Sequence, residues 1–218
     1  MPFYDIGITN IYAFILGAFL IVICPGPNCL YVLSTSIRHG AVAAIRAMLA
    51  VLVGDGFLIL ASYLGIASLL KANPELFYVV KALGASYLCY LGCKLIYSTI
   101  KKKSTKALHK KDEVKSEDKD VKSFRTALLL SLTNPKAILF FMAFFVQFID
   151  NSAGHGGLCY LILATIMQFF SFSFLVFLIV SGRGLVNFVK KRPSLGKFGN
   201  RLTGSVFLLF AAKLITDF

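Results

Sequence analysis

The sequence predicts an all-α integral membrane protein, with six transmembrane helices arranged as two inverted three-helix repeats and helices 1 and 4 interrupted at proline motifs. Three observations carry that fold class. The 218 residues are 57% hydrophobic and only 15% charged, with a mean hydropathy of +0.77, whereas a soluble domain is about 25% charged. The apolar residues fall in long blocks, matching the ~20 residues needed to cross a hydrocarbon core of ~30 Å. Prolines interrupt corresponding blocks in the two halves, at Pro25-Gly26-Pro27-Asn28 and at Asn134-Pro135-Lys136.

Each element can be justified in turn. The first span, residues 8–34, is preceded by a single charge, Asp5, and by no basic region. Pro-Gly-Pro is not a cleavage signature, so this span reads as a mature helix rather than a signal peptide. The second, residues 41–70, is long enough to tilt or to run past the interface, and it contains Gly54-Asp55-Gly56. The third, residues 77–100, carries Gly84-Ala85-Ser86-Tyr87 and then Lys94. Residues 101–123 are rich in lysine and acidic side chains and nearly devoid of apolar ones, the composition of a solvated linker. The fourth span, residues 124–149, holds the second proline motif. The fifth, residues 157–181, is the cleanest, broken only by Gln168 and a few hydroxyls. The sixth, residues 198–215, carries Gly204-Ser205-Val206-Phe207 and then Lys213.

The chain therefore divides into a first repeat (1–100), the linker (101–123) and a second repeat (124–218). Pro27 matches Pro135, and the small-residue clusters of the third and sixth spans match each other. A repeat with an odd number of spans must place its two copies in opposite orientations, with a site between the halves. Paired interruptions of this kind are the sequence-level mark of a secondary transporter's binding site.

The net charge of +13 is distributed like that of a membrane protein, not a nucleic-acid binder. Arg38, the linker lysines (Lys101, Lys102, Lys103, Lys106, Lys110, Lys111, Lys115, Lys119, Lys122), Arg125, and Arg183, Lys190, Lys191, Arg192, Lys197 and Arg201 all fall on one side of a six-span topology. Lys71, Lys81 and Lys213 fall on the other. The positive-inside rule makes the basic side cytoplasmic and puts both termini outside, and a basic face attracts anionic lipid. The cysteines (Cys24, Cys29, Cys89, Cys93, Cys159) all lie in or beside apolar helix sequence, where cysteine behaves as a small apolar residue. Neither a disulfide nor a metal is expected. His39, His109 and His155 lie in loops without ligand-like neighbours. No nucleophile–base arrangement, P-loop or nucleotide fingerprint appears, which excludes enzymatic and ATP-driven readings and any cofactor.

Polar groups deep in a span are costly and are functional candidates by default. Asp55 is the acidic residue placed well inside a span, ~20 Å along helix 2 at 1.5 Å per residue. It can pair with a cation such as Lys136, bind a substrate amine, or carry a coupling proton. Lys136 can snorkel to the interface. Alternatively, with the freed amides of the half-helix that starts at Pro135, it can favour an anion. Pro27-Asn28 offers the same geometry with amides instead of a charge. A zwitterion would then place its carboxylate at Pro135-Lys136, assisted by Asn28, and its ammonium at Asp55. Phe140, Phe141 and Phe144 are the nearest large apolar residues for its side chain. Lys94 and Lys213 lie near helix ends and read as snorkelling. Gln168, Ser171 and Ser173 line a polar path or bond between helices, and Gly17 and Gly84 read as packing contacts.

Several motifs together resemble the LysE/RhtB family of amino-acid exporters. They are Pro25-Gly26-Pro27-Asn28 followed by Leu30-Tyr31-Val32-Leu33, Gly54-Asp55, Leu83-Gly84-Ala85-Ser86-Tyr87-Leu88 through Gly92-Cys93-Lys94, and Thr133-Asn134-Pro135-Lys136-Ala137. The resemblance covers nearly the whole chain outside the linker. It implies secondary active export of neutral amino acids, leucine and similar apolar ones, by proton antiport across the bacterial inner membrane. It also implies a transport site made by Pro25, Gly26, Pro27, Asn28, Asp55, Asn134, Pro135 and Lys136, with Asp55 as the proton carrier. The partners implied are an amino acid, protons and membrane lipid; the oligomeric state is left open, a homo-oligomer included. Members overlap in specificity, so a homoserine-lactone, threonine or lysine-type cargo is the alternative within the family, and a passive facilitator is the alternative outside it. Two departures stand out: Cys29 occupies a motif position that is not usually cysteine, and the linker is longer and more charged than the family's.

Overall fold

A proline has no N–H to continue a helix, clashes with the preceding turn, and pushes the residue before it into an extended conformation. These local effects organise the chain. The computed structural model describes residues 7–24, 26–72, 74–100, 119–149, 156–191 and 193–216. Within them lie α1 (Ile11–Ile23), α2 (Pro27–His39), α3 (Ala41–Ala72), α4 (Pro74–Ile100), α5 (Lys119–Leu132), α6 (Pro135–Phe144) closed by a 3₁₀ turn (Phe145–Phe148), α7 (Gly156–Lys191) and α8 (Pro193–Thr216). Pro25, the linker residues 101–118, His109 and His155 lie outside the described residues.

Both interruptions fall where the prolines put them. Pro27 opens α2 after an extended Gly26 (φ −132°, ψ 176°), and Pro135 opens α6 after an extended Asn134 (φ −72°, ψ 105°). The axes of α1 and α2 meet at 49°. At its start α1 is capped by Asn10, whose side-chain oxygen accepts from Ala13 N at 2.9 Å. At its end α2 stops at Gly40, whose φ of 87° is a left-handed conformation that glycine adopts without strain.

Several boundaries differ from the sequence reading. The fourth unit begins at Lys119, inside the expected linker, and α7 continues beyond 181 to Lys191 through a non-helical Gly182 (φ 11°, ψ −99°). Hydropathy marks the part of a helix that is apolar, whereas lysine and arginine extend a helix at little cost. Two stretches among the described residues, 41–65 and 156–182, are long and apolar enough to cross a membrane on their own, and the bent α1–α2 pair makes a third. Lysines, an arginine, glycines and hydroxyls dilute the apolar content of α4 and α8, the other two long helices. Large apolar side chains nevertheless face outwards, with Phe57, Phe169 and Val180 more than half exposed. That is the exterior of a protein whose solvent is lipid.

The helices pack through two kinds of interior. One is aromatic: Phe14, Phe140, Phe144, Phe145 and Phe148 are fully buried against Leu88, Leu163 and Phe207, and Phe140 and Phe144 stack with centroids 4.4 Å apart. Gly17 lies against this cluster. A Cβ there would meet the Phe144 ring at 2.3 Å, so it is the packing glycine the sequence suggested. The other interior is built from small residues, with Ala47, Ala50, Val51 and Ala127 beside Val32, Leu175 and Leu178. The most extensive helix–helix contact joins α4 to α8. There a Cβ on Gly92 would lie 2.7 Å from the Gly204 carbonyl, so the backbones touch. The glycine meeting Gly204 is thus Gly92, one helical stretch beyond the Gly84 cluster matched to it in sequence. An isolated bridge between Ile8 and Ile149 ties the chain before α1 to the end of the 3₁₀ turn.

Candidate substrate site between the two helix breaks

The two breaks face each other across the interior. A cavity of about 60 Å³ lies between them, at the junction of the aromatic and small-residue clusters, and Gly26, Asn28, Asp55, Asn134 and Lys136 all line it. Five of the sequence-derived site residues are therefore brought to one place. Pro27 and Pro135 start the half-helices beside the cavity without lining it, and Pro25 is outside the described residues. Ile21, Val22, Cys29, Val51, Ala137, Phe140, Phe141, Met167, Ser171, Phe174 and Leu175 complete the wall. Phe140 and Phe141 reach it as expected. Phe144 instead sits in the aromatic cluster, wedged among Phe14, Phe148 and Phe210.

The ammonium of Lys136 neither snorkels nor pairs directly with Asp55. Its Nζ donates to the carbonyls of Ile21 (2.9 Å) and Cys24 (2.6 Å), two of the acceptors that the end of α1 leaves without an intrahelical donor. An ammonium has three N–H donors, so one remains for the cavity. The start of α6 is satisfied within its own break. Lys136 N donates to Asn134 Oδ1 at 3.1 Å, and the amides of Ala137 and Ile138 each donate to Asn134 O at 3.0 Å. The second break therefore offers the cavity an ammonium, while its amides are taken. The start of α2, in contrast, has no side-chain cap, and a Cβ on Gly26 would lie 3.5 Å from Lys136 Nζ.

Asp55 is buried at 7% exposure, near the middle of the apolar stretch of α3. Its glycine neighbours admit other helices closely. A Cβ on Gly54 would lie 2.7 Å from that of Ser131 on α5, and one on Gly56 would lie 3.3 Å from Gln168 Nε2 on α7. The carboxylate accepts a hydrogen bond from Ser131 Oγ at 2.8 Å, and Ser171 of α7 lines the same cavity. Ser131 in turn accepts from Asn28 Nδ2 at 3.2 Å. Asn28, 8% exposed, keeps a buried Oδ1 with no partner among the described residues.

The polar side chains of α7, left open by the sequence, separate by role. Ser171 lines the cavity, Gln168 Nε2 donates to Leu52 O at 2.9 Å between helices, and Ser173 bonds back to Phe169 O. Lys94 is exposed, over the Tyr90 ring at 5.3 Å from its centroid. Ser131, wholly buried and central to the network, was missed by sequence reasoning. Its only signal was a hydroxyl in the apolar run before Asn134, and such a hydroxyl commonly bonds its own helix backbone.

Residues 19–218 match the family described as LysE type translocator. The chain is 42% identical to a leucine efflux protein of Salmonella typhimurium (strain LT2) over 98% of both chains. It is 42% identical to one of Enterobacter sp. (strain 638) over 97% of this chain and 98% of that one. A leucine efflux protein of Klebsiella pneumoniae is 41% identical over 98% of both. No solved structure matches the chain.

Proposed function

The chain belongs to the LysE type translocator family, and from that premise we propose that it is a secondary active exporter of leucine and similar apolar amino acids, driven by proton antiport across the bacterial inner membrane. It is a transporter rather than an enzyme. The observation that carries the choice of cargo is the similarity, over essentially the full length, to proteins named for leucine efflux. The cavity supplies a physical rationale. A zwitterion in a low-dielectric site needs one anionic and one cationic partner, and Asp55 and Lys136 line the same wall.

In this reading the carboxylate takes the third donor of Lys136, on the side that faces the uncapped start of α2, where helix amides favour an anion. The ammonium approaches Asp55, and the apolar side chain lies against Phe140, Phe141 and Met167. Asp55 also carries the proton. One carboxylate that serves both proton and ammonium must release one to accept the other, which is the requirement for antiport. The cavity is far smaller than the ~300 Å³ lower bound of small-molecule pockets, so cargo enters only when the helices around it part.

Six spans in two inverted repeats are the architecture we propose for this cycle. The packing supports it: α3 of the first half lies against both pieces of the second broken helix, α5 and α6, while α7 of the second half lies against both pieces of the first, α1 and α2. The distribution of basic residues supports a cytoplasmic linker (101–123) and periplasmic termini, with the basic face meeting anionic lipid.

The test is counterflow of radiolabelled leucine into proteoliposomes preloaded with single amino acids. Internal leucine and other apolar amino acids should drive uptake, with lysine and threonine ineffective. Stronger drive by lysine or threonine would overturn the cargo assignment, and uptake indifferent to internal substrate would favour a facilitator.

A further inference from the structure

The sequence pattern put Asn28 on the carboxylate side of the site, as a donor. Its environment argues for the opposite end. The hydroxyl of Ser131 has one proton, and its contact with Asp55 Oδ1 (2.8 Å) is much shorter than the one with Val51 O (3.4 Å). With that proton given to Asp55, Ser131 is an acceptor toward Asn28, and the amide must face it with Nδ2, as observed at 3.2 Å. Turning the amide over would set two acceptors against each other. This leaves Oδ1 of Asn28 buried and without a partner among the described residues, on a side chain that lines the cavity. A buried acceptor without a donor is costly, and a donor arriving in the cavity removes that cost. A carboxylate cannot supply one; an ammonium can.

Resting on the export reading above, we propose that Asn28 Oδ1 is a second acceptor for the substrate's ammonium beside Asp55, and that Ser131 is the positioning residue that orients both. The chain Asn28 Nδ2–H to Ser131 Oγ–H to Asp55 Oδ1 spans three helices: α2 of the first broken unit, α5 of the second, and α3. Ser131 can hold this place because Gly54 lets α5 approach α3 so closely that even a methyl group would collide. The ammonium end of the site is therefore assembled from both halves of the chain, with Asn28 and Asp55 from the first and Ser131 from the second. A cargo with no charged amino group leaves Asn28 Oδ1 unpaired, so selection for an α-amino group is built into this end of the cavity.

The test removes one group from the protein and one from the ligand. Inhibition of leucine exchange in proteoliposomes is measured with isoamylamine (leucine without its carboxylate) and isocaproate (leucine without its ammonium) for the parent, Asn28→Ala, Asn28→Ser, Ser131→Ala, Ser131→Thr and Lys136→Ala. Loss of one hydrogen bond to a charged group should weaken leucine and isoamylamine by ~10-fold or more in Asn28→Ala and leave isocaproate unchanged. Lys136→Ala should show the reverse selectivity. Ser131→Ala should follow Asn28→Ala, and Ser131→Thr, which keeps the hydroxyl, should restore part of the loss. Asn28→Ser, too short to reach, keeps the question decidable if the alanine variant is not recovered from the membrane. Weakening of isocaproate but not isoamylamine by the Asn28 variants would return Asn28 to the carboxylate end and overturn the proposal. Equal weakening of both would reduce its role to packing. Absence of leucine exchange in the parent would instead refute the export reading itself.

Discussion

The two helix breaks have the same sequence logic and are stabilised in opposite ways. At the second, the freed amides are satisfied on the spot: Asn134 caps α6 through its side chain and its carbonyl, and its own N–H returns to Ser131 O at 3.2 Å. At the first, the carbonyls of Ile21 and Cys24 are satisfied by Lys136, which comes from the other half of the chain. A proline motif specifies that a helix stops; it does not specify what takes over its hydrogen bonds. A break closed by its own residues is a fixed platform. A break closed by a distant ammonium depends for its stability on the other half of the chain.

The strongest way to break this comparison is Lys136→Ala. It strips two carbonyls of their partner, at ~1–3 kcal/mol each, and removes the cationic contact proposed for the cargo. We expect leucine affinity in exchange assays to fall ~10- to 100-fold, together with a clear drop in thermal stability in detergent. A variant as stable and as tight-binding as the parent would show that the first break does not depend on the second half. Next in size is Gly54→Ala, which forces a methyl group against Ser131. An overpacked contact of this kind costs ~1–3 kcal/mol, and exchange should fall with stability because Ser131 is pushed away from Asp55. Unchanged exchange would mean that the α3–α5 approach is not needed for the site.

Asn134→Ala sharpens the contrast, because it damages only the self-capped break. Loss of a helix N-cap costs ~1 kcal/mol, so the melting temperature should fall modestly while α1 keeps its partner. A loss of leucine affinity as large as that of Lys136→Ala would contradict the division of roles. The smallest effect is expected for Lys94→Ala, whose exposed ammonium lies over the Tyr90 ring. Stability should move by no more than ~0.5 kcal/mol and transport not at all; a transport defect would reveal a role for the face of α4.

These contrasts also mark what the sequence could disclose. The breaks at Pro27 and Pro135 were legible because proline acts on its own backbone, and Asp55 stood out because a carboxylate inside an apolar span is expensive. The convergence of Asn28, Asp55, Asn134 and Lys136 on one cavity followed from pairing the halves. Partners were not legible. A lysine stem can reach several carbonyls, an amide presents a donor at one end and an acceptor at the other, and a serine in a helix has a bond available four residues back. Only the packing of α2, α3 and α5 decides that Ser131 serves Asp55 and Asn28. The helical ends at Lys119 and Lys191 escaped detection for another reason: charged residues extend a helix without registering as span.

The central claim, that Asp55 couples cargo to the proton, is tested most directly by leucine efflux from proteoliposomes under an imposed pH gradient, in the parent and in Asp55→Asn. The parent should export faster when the gradient is applied. The variant should lose that acceleration while keeping measurable leucine exchange, since the amide still offers an oxygen to the ammonium. Gradient-driven export by Asp55→Asn at the parent's rate would contradict the claim and move the proton to another group.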